Sequence, residues 1–194
     1  LRPVAFDGSE LPLLSQGFKE RAGLLDALAH MDEAGSLYVP QAGDGDAVRA
    51  ELERVGCGDD LLADALRGKL EVALADVEAL SGTYHCVVAN PPYMGSGNMN
   101  PWLSGWVREN YPDEKGDLCT CFIRRSKSLL FSKGTLALIS SEPWLTKVNF
   151  SNFRKWMLHN IDIRYMIHLS DKTRHANVFG ANVAIVAFES SYTE

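Results

Sequence analysis

A chain of 194 residues, 46% of them hydrophobic, is long enough to bury a core, and no segment carries the roughly twenty consecutive apolar residues that a membrane span needs. The opening residues Leu1-Arg2-Pro3-Val4 lack the charged-then-apolar pattern of a signal peptide, so the expected location is cytoplasmic. The net charge of -6 is uneven, with 7 Lys/Arg against 16 Asp/Glu in residues 1–80 and 12 against 9 in residues 81–194; neither part has the dense basic stripe of a self-sufficient DNA binder, and only the second suits a phosphate backbone.

Residues 1–14, interrupted by Pro3 and Pro12, predict no element. Ser15 can cap a helix in which Phe18, Ala22, Leu25 and Ala29 recur at helical spacing as far as Gly35. Ser36 to Val39 reads as a short extended segment closed by Pro40, and residues 41–45 as a Gly/Asp loop. Asp46 then caps a helix with Val48, Leu52 and Val55 inward, ended by Gly56 and Gly58. Asp59 or Asp60 caps a longer one striped by Leu62, Leu66, Leu70, Leu74, Val77 and Leu80 up to Gly82. No loop has a calcium-binding pattern, so Asp44, Asp46, Asp59, Asp60 and Asp64 read as solvated caps and surface. Residues 1–80 are thus predicted to be a mostly helical acidic segment.

From residue 81 the pattern changes to helices alternating with apolar runs, which predicts an α/β region over 81–194. Tyr84 to Ala89 reads as a buried strand ending in Asn90-Pro91-Pro92-Tyr93. Pro91 and Pro92 fix φ and have no N–H, so this turn is stiff and presents acceptors. The Asn90 side-chain carbonyl and the Pro91 carbonyl suit a planar substrate with an exocyclic NH2, and the Tyr93 ring gives it a stacking face. An aromatic amine is a poor nucleophile; two acceptors on its N–H bonds favour a pyramidal nitrogen and stabilise the positive charge that develops as it attacks a methyl donor. Chance would produce such a tetrapeptide in roughly one chain of this length in several hundred. The competing reading is a rigid strand-to-loop turn without chemistry.

Residues 94–100 read as a flexible polar cover over the cleft, unlike a phosphate-binding loop. Pro101 starts a helix carrying Trp102 and Trp106, a spacing that serves core packing or base stacking. Gly116-Asp117 opens a helix with Leu118, Phe122, Leu129 and Leu130 on one side and Arg124, Arg125 and Lys127 on another, the basic residues forming a solvated face or a phosphate contact. Cys57, Cys86, Cys119 and Cys121 have no paired C-x-x-C spacing, so reduced thiols are expected and a zinc site is not. Lys133-Gly134 ends the helix, Thr135 to Ser141 is a strand, and Pro143-Trp144-Leu145 turns out over the cleft. A helix from Ser151 to Asn160 follows, then a half-exposed strand alternating Ile161, Ile163, Tyr165 and Ile167 inward, with His168 as a polar edge residue. The loop 170–182 holds a lone Phe179 before the apolar strand Val183 to Phe188.

The Asn90-Pro91-Pro92-Tyr93 turn after an apolar strand resembles motif IV of the S-adenosylmethionine-dependent amino-methyltransferases. With Met94-Gly95, Met99-Asn100-Pro101, Asn110-Tyr111-Pro112 and Lys115-Gly116-Asp117-Leu118, the match is more specifically to the adenine-specific DNA methyltransferases of the BREX/Pgl phage-resistance systems, over about residues 70 to 190. The resemblance implies a partial Rossmann-like methyltransferase sheet preceded by helices, with 81–194 the C-terminal half of the catalytic domain. It implies Asn90, Pro91, Pro92 and Tyr93 as catalytic residues, Phe179 stacking on a flipped adenine opposite Tyr93, and S-adenosylmethionine as methyl donor. Asp117 is read as a helix cap first and a site residue second.

In this family a glycine-rich loop after the first strand and an acidic residue ending the second hold the cofactor, and neither precedes residue 84. The expectation is therefore a fragment or one part of a split enzyme, unable alone to bind the cofactor tightly, gripping DNA mainly through regions outside it. Defence-system proteins are the implied partners, and an open sheet edge would allow self-association. The alternatives are methylation of an RNA base or a protein glutamine, or a non-catalytic scaffold of a phage-defence complex.

Overall fold

A computed structural model describes residues 1–55, 61–169 and 183–190, Leu169 and 183–190 through their backbone. The chain divides into two units, Leu1–Gly82 and Thr83–Glu194. Among the described residues no helix is long and apolar enough to cross a membrane.

The first unit is helical. Instead of one helix after Ser15, three short ones form: α1 (Gln16–Lys19), α2 (Ala22–Ala29) and α3 (Met31–Ala34). Ser15 caps α1 as predicted, its Oγ accepting from the Phe18 N–H at 3.3 Å. The chain then leaves helical geometry at Arg21, which resets the phase, so the buried positions are Leu24, Ala27, Leu28 and Met31 rather than Ala22, Leu25 and Ala29. Gly35–Leu37 is a 3-10 turn, not an extended segment, because Gly35 takes the left-handed φ of +51° that lets the Tyr38 N–H reach its carbonyl.

α4 (Asp44–Val55) starts three residues earlier than the Asp46 cap predicts, and Asp44 is buried rather than solvated. Its carboxylate accepts from Arg21 Nη1 at 2.8 Å, Tyr38 Oη at 2.9 Å and the Gln41 N–H at 2.8 Å. α5 (Leu61–Ser81) packs on α4 with Leu66, Leu70, Ala73, Val77 and Leu80, so Ala73 takes the place expected for Leu74. The first 14 residues are held by backbone and side chain: Val4 N–H to the Leu28 carbonyl at 2.7 Å, and Lys69 Nζ to Glu10 Oε2 at 2.6 Å and the Ala5 carbonyl at 2.8 Å.

The second unit is α/β. β1 (Tyr84–Ala89) runs through α6 (Pro101–Asn110) and α7 (Leu118–Ser128) to a parallel β2 (Leu130–Ser141), the helical crossover that parallel strands require. After α8 (Pro143–Thr146) and α9 (Ser151–Asn160), β3 (Ile161–Leu169) and β4 (Val183–Ser190) complete a sheet of order β1-β2-β4-β3, with β4 antiparallel to both neighbours. Ile123, Leu136, Leu138, Trp144, Phe150, Phe153 and Met157 form the core on which α7, α9 and β2 meet.

Three expectations change here. β1 is an edge strand with Val88 77% exposed, because a β-branched run is buried on both faces only when neighbours cover it, and among the described residues β1 pairs with β2 alone. β2 begins at Leu130 rather than Thr135: Tyr84 pairs with Leu130 and Cys86 with Thr135, so the residues between bulge out, Lys133 taking φ of +66°. A Cβ on Gly134 would lie 2.9 Å from the Phe131 carbonyl oxygen and 3.0 Å from that of Tyr84; Lys133-Gly134 is therefore a close backbone approach, not a helix stop. In β3 the register shifts between Ile163 and Tyr165, and beyond the shift Tyr165, Met166 and Ile167 are all exposed, so the expected alternation ends at Ile163.

Candidate active site

At the carboxyl end of β1 the extended chain runs straight into Asn90, and the two prolines prevent it from pairing further. Asn90 is exposed, Pro91 buried and Tyr93 half-buried. The Tyr93 hydroxyl donates to Asn90 Oδ1 at 3.2 Å, so the amide carbonyl faces the ring across the turn. Burial, with the Cys119 sulfur beside it, raises the Tyr93 pKa above the ordinary phenol value, and the hydroxyl stays a donor. All peptide bonds here are trans.

The turn is anchored from below by α7. The Pro92 carbonyl accepts from the Met94 N–H at 3.1 Å and from Cys119 Sγ at 3.3 Å. The Met94 carbonyl accepts from the Leu118 N–H at 3.0 Å, the Gly116 carbonyl from the Ser96 N–H at 3.0 Å, and Gly95 and Asp117 form an antiparallel bridge. The start of the segment read as a free polar cover is therefore tied down, and Ser96–Asn98 closes into a 3-10 turn. Gly116 has no room for a side chain, since a Cβ would sit 2.7 Å from Phe150 Cζ.

Asp117 is both the α7 cap and a tie to the sheet. Its Oδ1 accepts from the Cys119 N–H and its Oδ2 from Ser141 Oγ, each at 2.9 Å. Burial pushes the Cys119 thiol up to about 12 and the Cys121 thiol higher still, so both are inert, protonated side chains. Sequence reasoning treated Cys119 as an inert buried thiol and did not single out Ser141. The available signal was that the strand next to the motif strand ends in Ser140-Ser141, hydroxyls with no core to fill.

Other candidates sit elsewhere. Arg125 is buried, its Nη1 donating to Ser128 Oγ at 2.7 Å, and Arg124 stacks over Trp156 at 4.0 Å, so this cluster is not a uniformly solvated face. Trp144 points into the core instead of over the cleft, its Nε1 donating to Ser140 Oγ at 2.9 Å, because the short α8 turns it back onto Phe153. Trp102 and Trp106 stack on each other at 6.0 Å along the half-exposed side of α6. His168 is exposed, with Nε2 3.3 Å from Glu142 Oε1. Phe179 lies outside the described residues.

The described residues do not fit S-adenosylmethionine on their own. Among them no strand precedes β1, so none ends in a glycine-rich turn into a helix, and the positive-φ Gly35 and Gly43 lie in connections between helices. What is present is a stiff turn that carries the exposed Asn90 amide beside the Tyr93 ring.

The model of the Eco57I restriction-modification methylase family matches residues 50–175, a stretch that contains the Asn90 turn and its α7 anchor. The chain belongs to this family. Among curated relatives, this family member is 34% identical over 139 residues to the adenine-specific methyltransferase BrxX of Escherichia coli O9:H4 (strain HS). It is 39% identical over 80 residues to the adenine-specific methyltransferase PglX of Lacticaseibacillus casei (strain Zhang), and 29% identical over 106 residues to the type II methyltransferase M.BstVI of Geobacillus stearothermophilus. The matches cover 70%, 41% and 54% of this chain but only 12%, 7% and 19% of those proteins, so the chain spans a small part of its relatives' length. Among solved structures, the nuclease-deletion mutant of the Type ISP restriction-modification enzyme LlaGI in complex with a DNA substrate mimic is similar at TM-score 0.47 and 17% identity, over 72% of this chain and 14% of that one, a likeness too loose to bear on function.

Proposed function

We propose that this chain supplies the amine-binding turn of an S-adenosylmethionine-dependent DNA methyltransferase that modifies adenine at N6, in cytoplasmic phage defence or restriction-modification. The observation that carries the reading is the trans Asn90-Pro91-Pro92-Tyr93 turn at the end of β1, inside the stretch shared with the methylase family. Asn90 Oδ1 and the Pro91 carbonyl accept the two amino N–H bonds of a flipped adenine, Pro92 shapes the turn, and Tyr93 stacks on the base. As the ring swings to stack, the substrate amine takes over the acceptor now held by the Tyr93 hydroxyl. Phe179 is the proposed second stacking face.

The methyl donor is held by segments of the full polypeptide other than those described, and most of the DNA grip comes from there too. Protein partners are those of a defence complex. A second copy at the β1 edge, which has no partner strand but β2 among the described residues, is a further partner, read out as a dimer mass in solution.

Calorimetric titration of S-adenosylmethionine into this chain and into the full polypeptide tests the division of labour. Binding by the full polypeptide alone is expected, and Asn90→Ala in it should lower methyl transfer to DNA by about two to three orders of magnitude. Undiminished transfer by that variant overturns the reading. The lack of a cofactor cradle among the described residues favours a second reading, a non-catalytic scaffold, and binding by neither protein would establish it. Assaying an RNA base and a protein glutamine beside DNA separates the possible amine substrates.

A further inference from the structure

A turn built on two prolines has carbonyls as its only polar backbone groups at those positions, so what decides its chemistry is which carbonyl is left free. The Pro92 carbonyl is occupied twice, by the Met94 N–H at 3.1 Å and by the Cys119 thiol at 3.3 Å. Among the described residues no donor bonds the Pro91 carbonyl. The thiol is itself held in place: the Cys119 N–H donates to Asp117 Oδ1, and Asp117 Oδ2 takes the Ser141 hydroxyl from the end of β2. Pro92, Cys119, Asp117 and Ser141 thus form one linked chain across the carboxyl ends of β1 and β2 and the start of α7, and the last three are buried.

We infer that Cys119, fixed by Asp117 and Ser141, is a positioning residue for the Asn90 turn: by holding the Pro92 carbonyl inward it leaves the Pro91 carbonyl as the one that meets the substrate amine. The inference rests on the methyltransferase reading given above. Burial keeps the thiol protonated through the neutral range, so the donor is present whenever the enzyme works. The loop beyond the turn has its own ties, Leu118 N–H to the Met94 carbonyl and Ser96 N–H to the Gly116 carbonyl, so loss of the thiol leaves the Pro92 carbonyl on the Met94 N–H alone and loosens its orientation without releasing the loop. The effect therefore falls on the geometry of the acceptor and not on the fold.

The test compares Cys119→Ser, which keeps a donor, with Cys119→Ala, which removes it, in the full polypeptide. Cys119→Ala should lose about tenfold in kcat with KM for DNA and for the cofactor within about twofold of wild type, while Cys119→Ser keeps kcat within about threefold. Ser141→Ala, which loosens the support without touching the turn, should fall between them. Equal losses in the serine and alanine variants, or a loss that follows thermal stability alone, overturn the inference.

An infrared difference spectrum of wild type minus Cys119→Ala reads the thiol without any turnover. A hydrogen-bonded S–H stretch together with an amide I difference that moves when proline carbonyls are isotope-labelled supports the hold on Pro92, and a free-thiol stretch, or no proline amide I difference, overturns it. A hydrogen-bonded band in a polypeptide that methylates nothing would sink the methyltransferase reading while the hold on Pro92 stood, which keeps the two failures apart.

Discussion

Among the described residues of Leu1–Gly82 the buried polar side chains are carboxylates, and each is consumed within the helical framework. Asp44 gathers Arg21, Tyr38 and the Gln41 N–H; Glu51 takes the N–H and Oγ of Ser15 and the Arg54 guanidinium; Glu10 takes Lys69. In Thr83–Glu194 the corresponding groups are mostly small, Asp117, Cys119, Thr120, Ser140 and Ser141, and they gather around the carboxyl ends of β1 and β2 and the start of α7. The first unit spends its buried polarity on holding short helices and an irregular leader together. The second directs Asp117, Cys119 and Ser141 to the shape of one turn. Burial of polar groups is thus no guide to function by itself; what they hold is.

The contrast can be broken by mutation. Phe153→Ala empties a fully buried position in the second unit's core and should cost about 4 kcal/mol, lowering amide protection in α7, α9 and β2 while α4 and α5 keep theirs. Equal loss in both units, followed by hydrogen exchange, would show that they unfold as one. Asp44→Ala strands the Tyr38 hydroxyl and the Gln41 N–H and should cost the first unit about 3 kcal/mol in chemical denaturation, with amide protection in α7 and β2 unchanged. Gly134→Ala drives a methyl against two backbone oxygens and should cost about 2 kcal/mol, weakening the β1–β2 pairing beneath the Asn90 turn.

The smallest effect is on pH. Burial raises the Glu51 pKa, but the bonds from Arg54 and Ser15 outweigh it and hold the carboxyl below the usual range, whereas burial pushes Glu114 above it against the opposing pull of Arg124. The two units should therefore respond with opposite signs. Glu51 contributes stability above the ordinary glutamate range that is lost as pH falls through its lowered value. Glu114 is costly when ionised, so the second unit gains stability as pH falls from neutral through the raised value. Amide exchange in α4 and α7, corrected for the intrinsic pH dependence, reads both slopes, and Glu51→Gln and Glu114→Gln should each flatten its own.

Motifs with a strong local cause were legible in the sequence. Ser15 and Asp117 cap where a short polar side chain precedes an apolar pattern, and Asn90-Pro91-Pro92-Tyr93 ends a strand because proline cannot extend the ladder. What escaped was set by tertiary partners. The burial of Asp44, the exposure of Val88 and the bulge at Lys133 all depend on groups many residues away. The contact between Cys119 and Pro92 joins positions separated by 27 residues, and nothing local in either announces it. Trp144 was misplaced for a similar reason: its Nε1 partner, Ser140, is close in sequence, but only the short α8 turns the ring inward.

The strand order β1-β2-β4-β3 has a consequence for how the protein is made. The strand that lies between β2 and β3 is the last of the four to be translated, so among the described residues β3 has no ladder to join until Val183–Ser190 has been made. The local contacts of α4 with α5 can form during synthesis, while the sheet must wait for a pairing that spans more than forty residues between β2 and β4. Nascent chains halted before residue 183 should resist protease in the first unit and remain susceptible across the Asn90 turn.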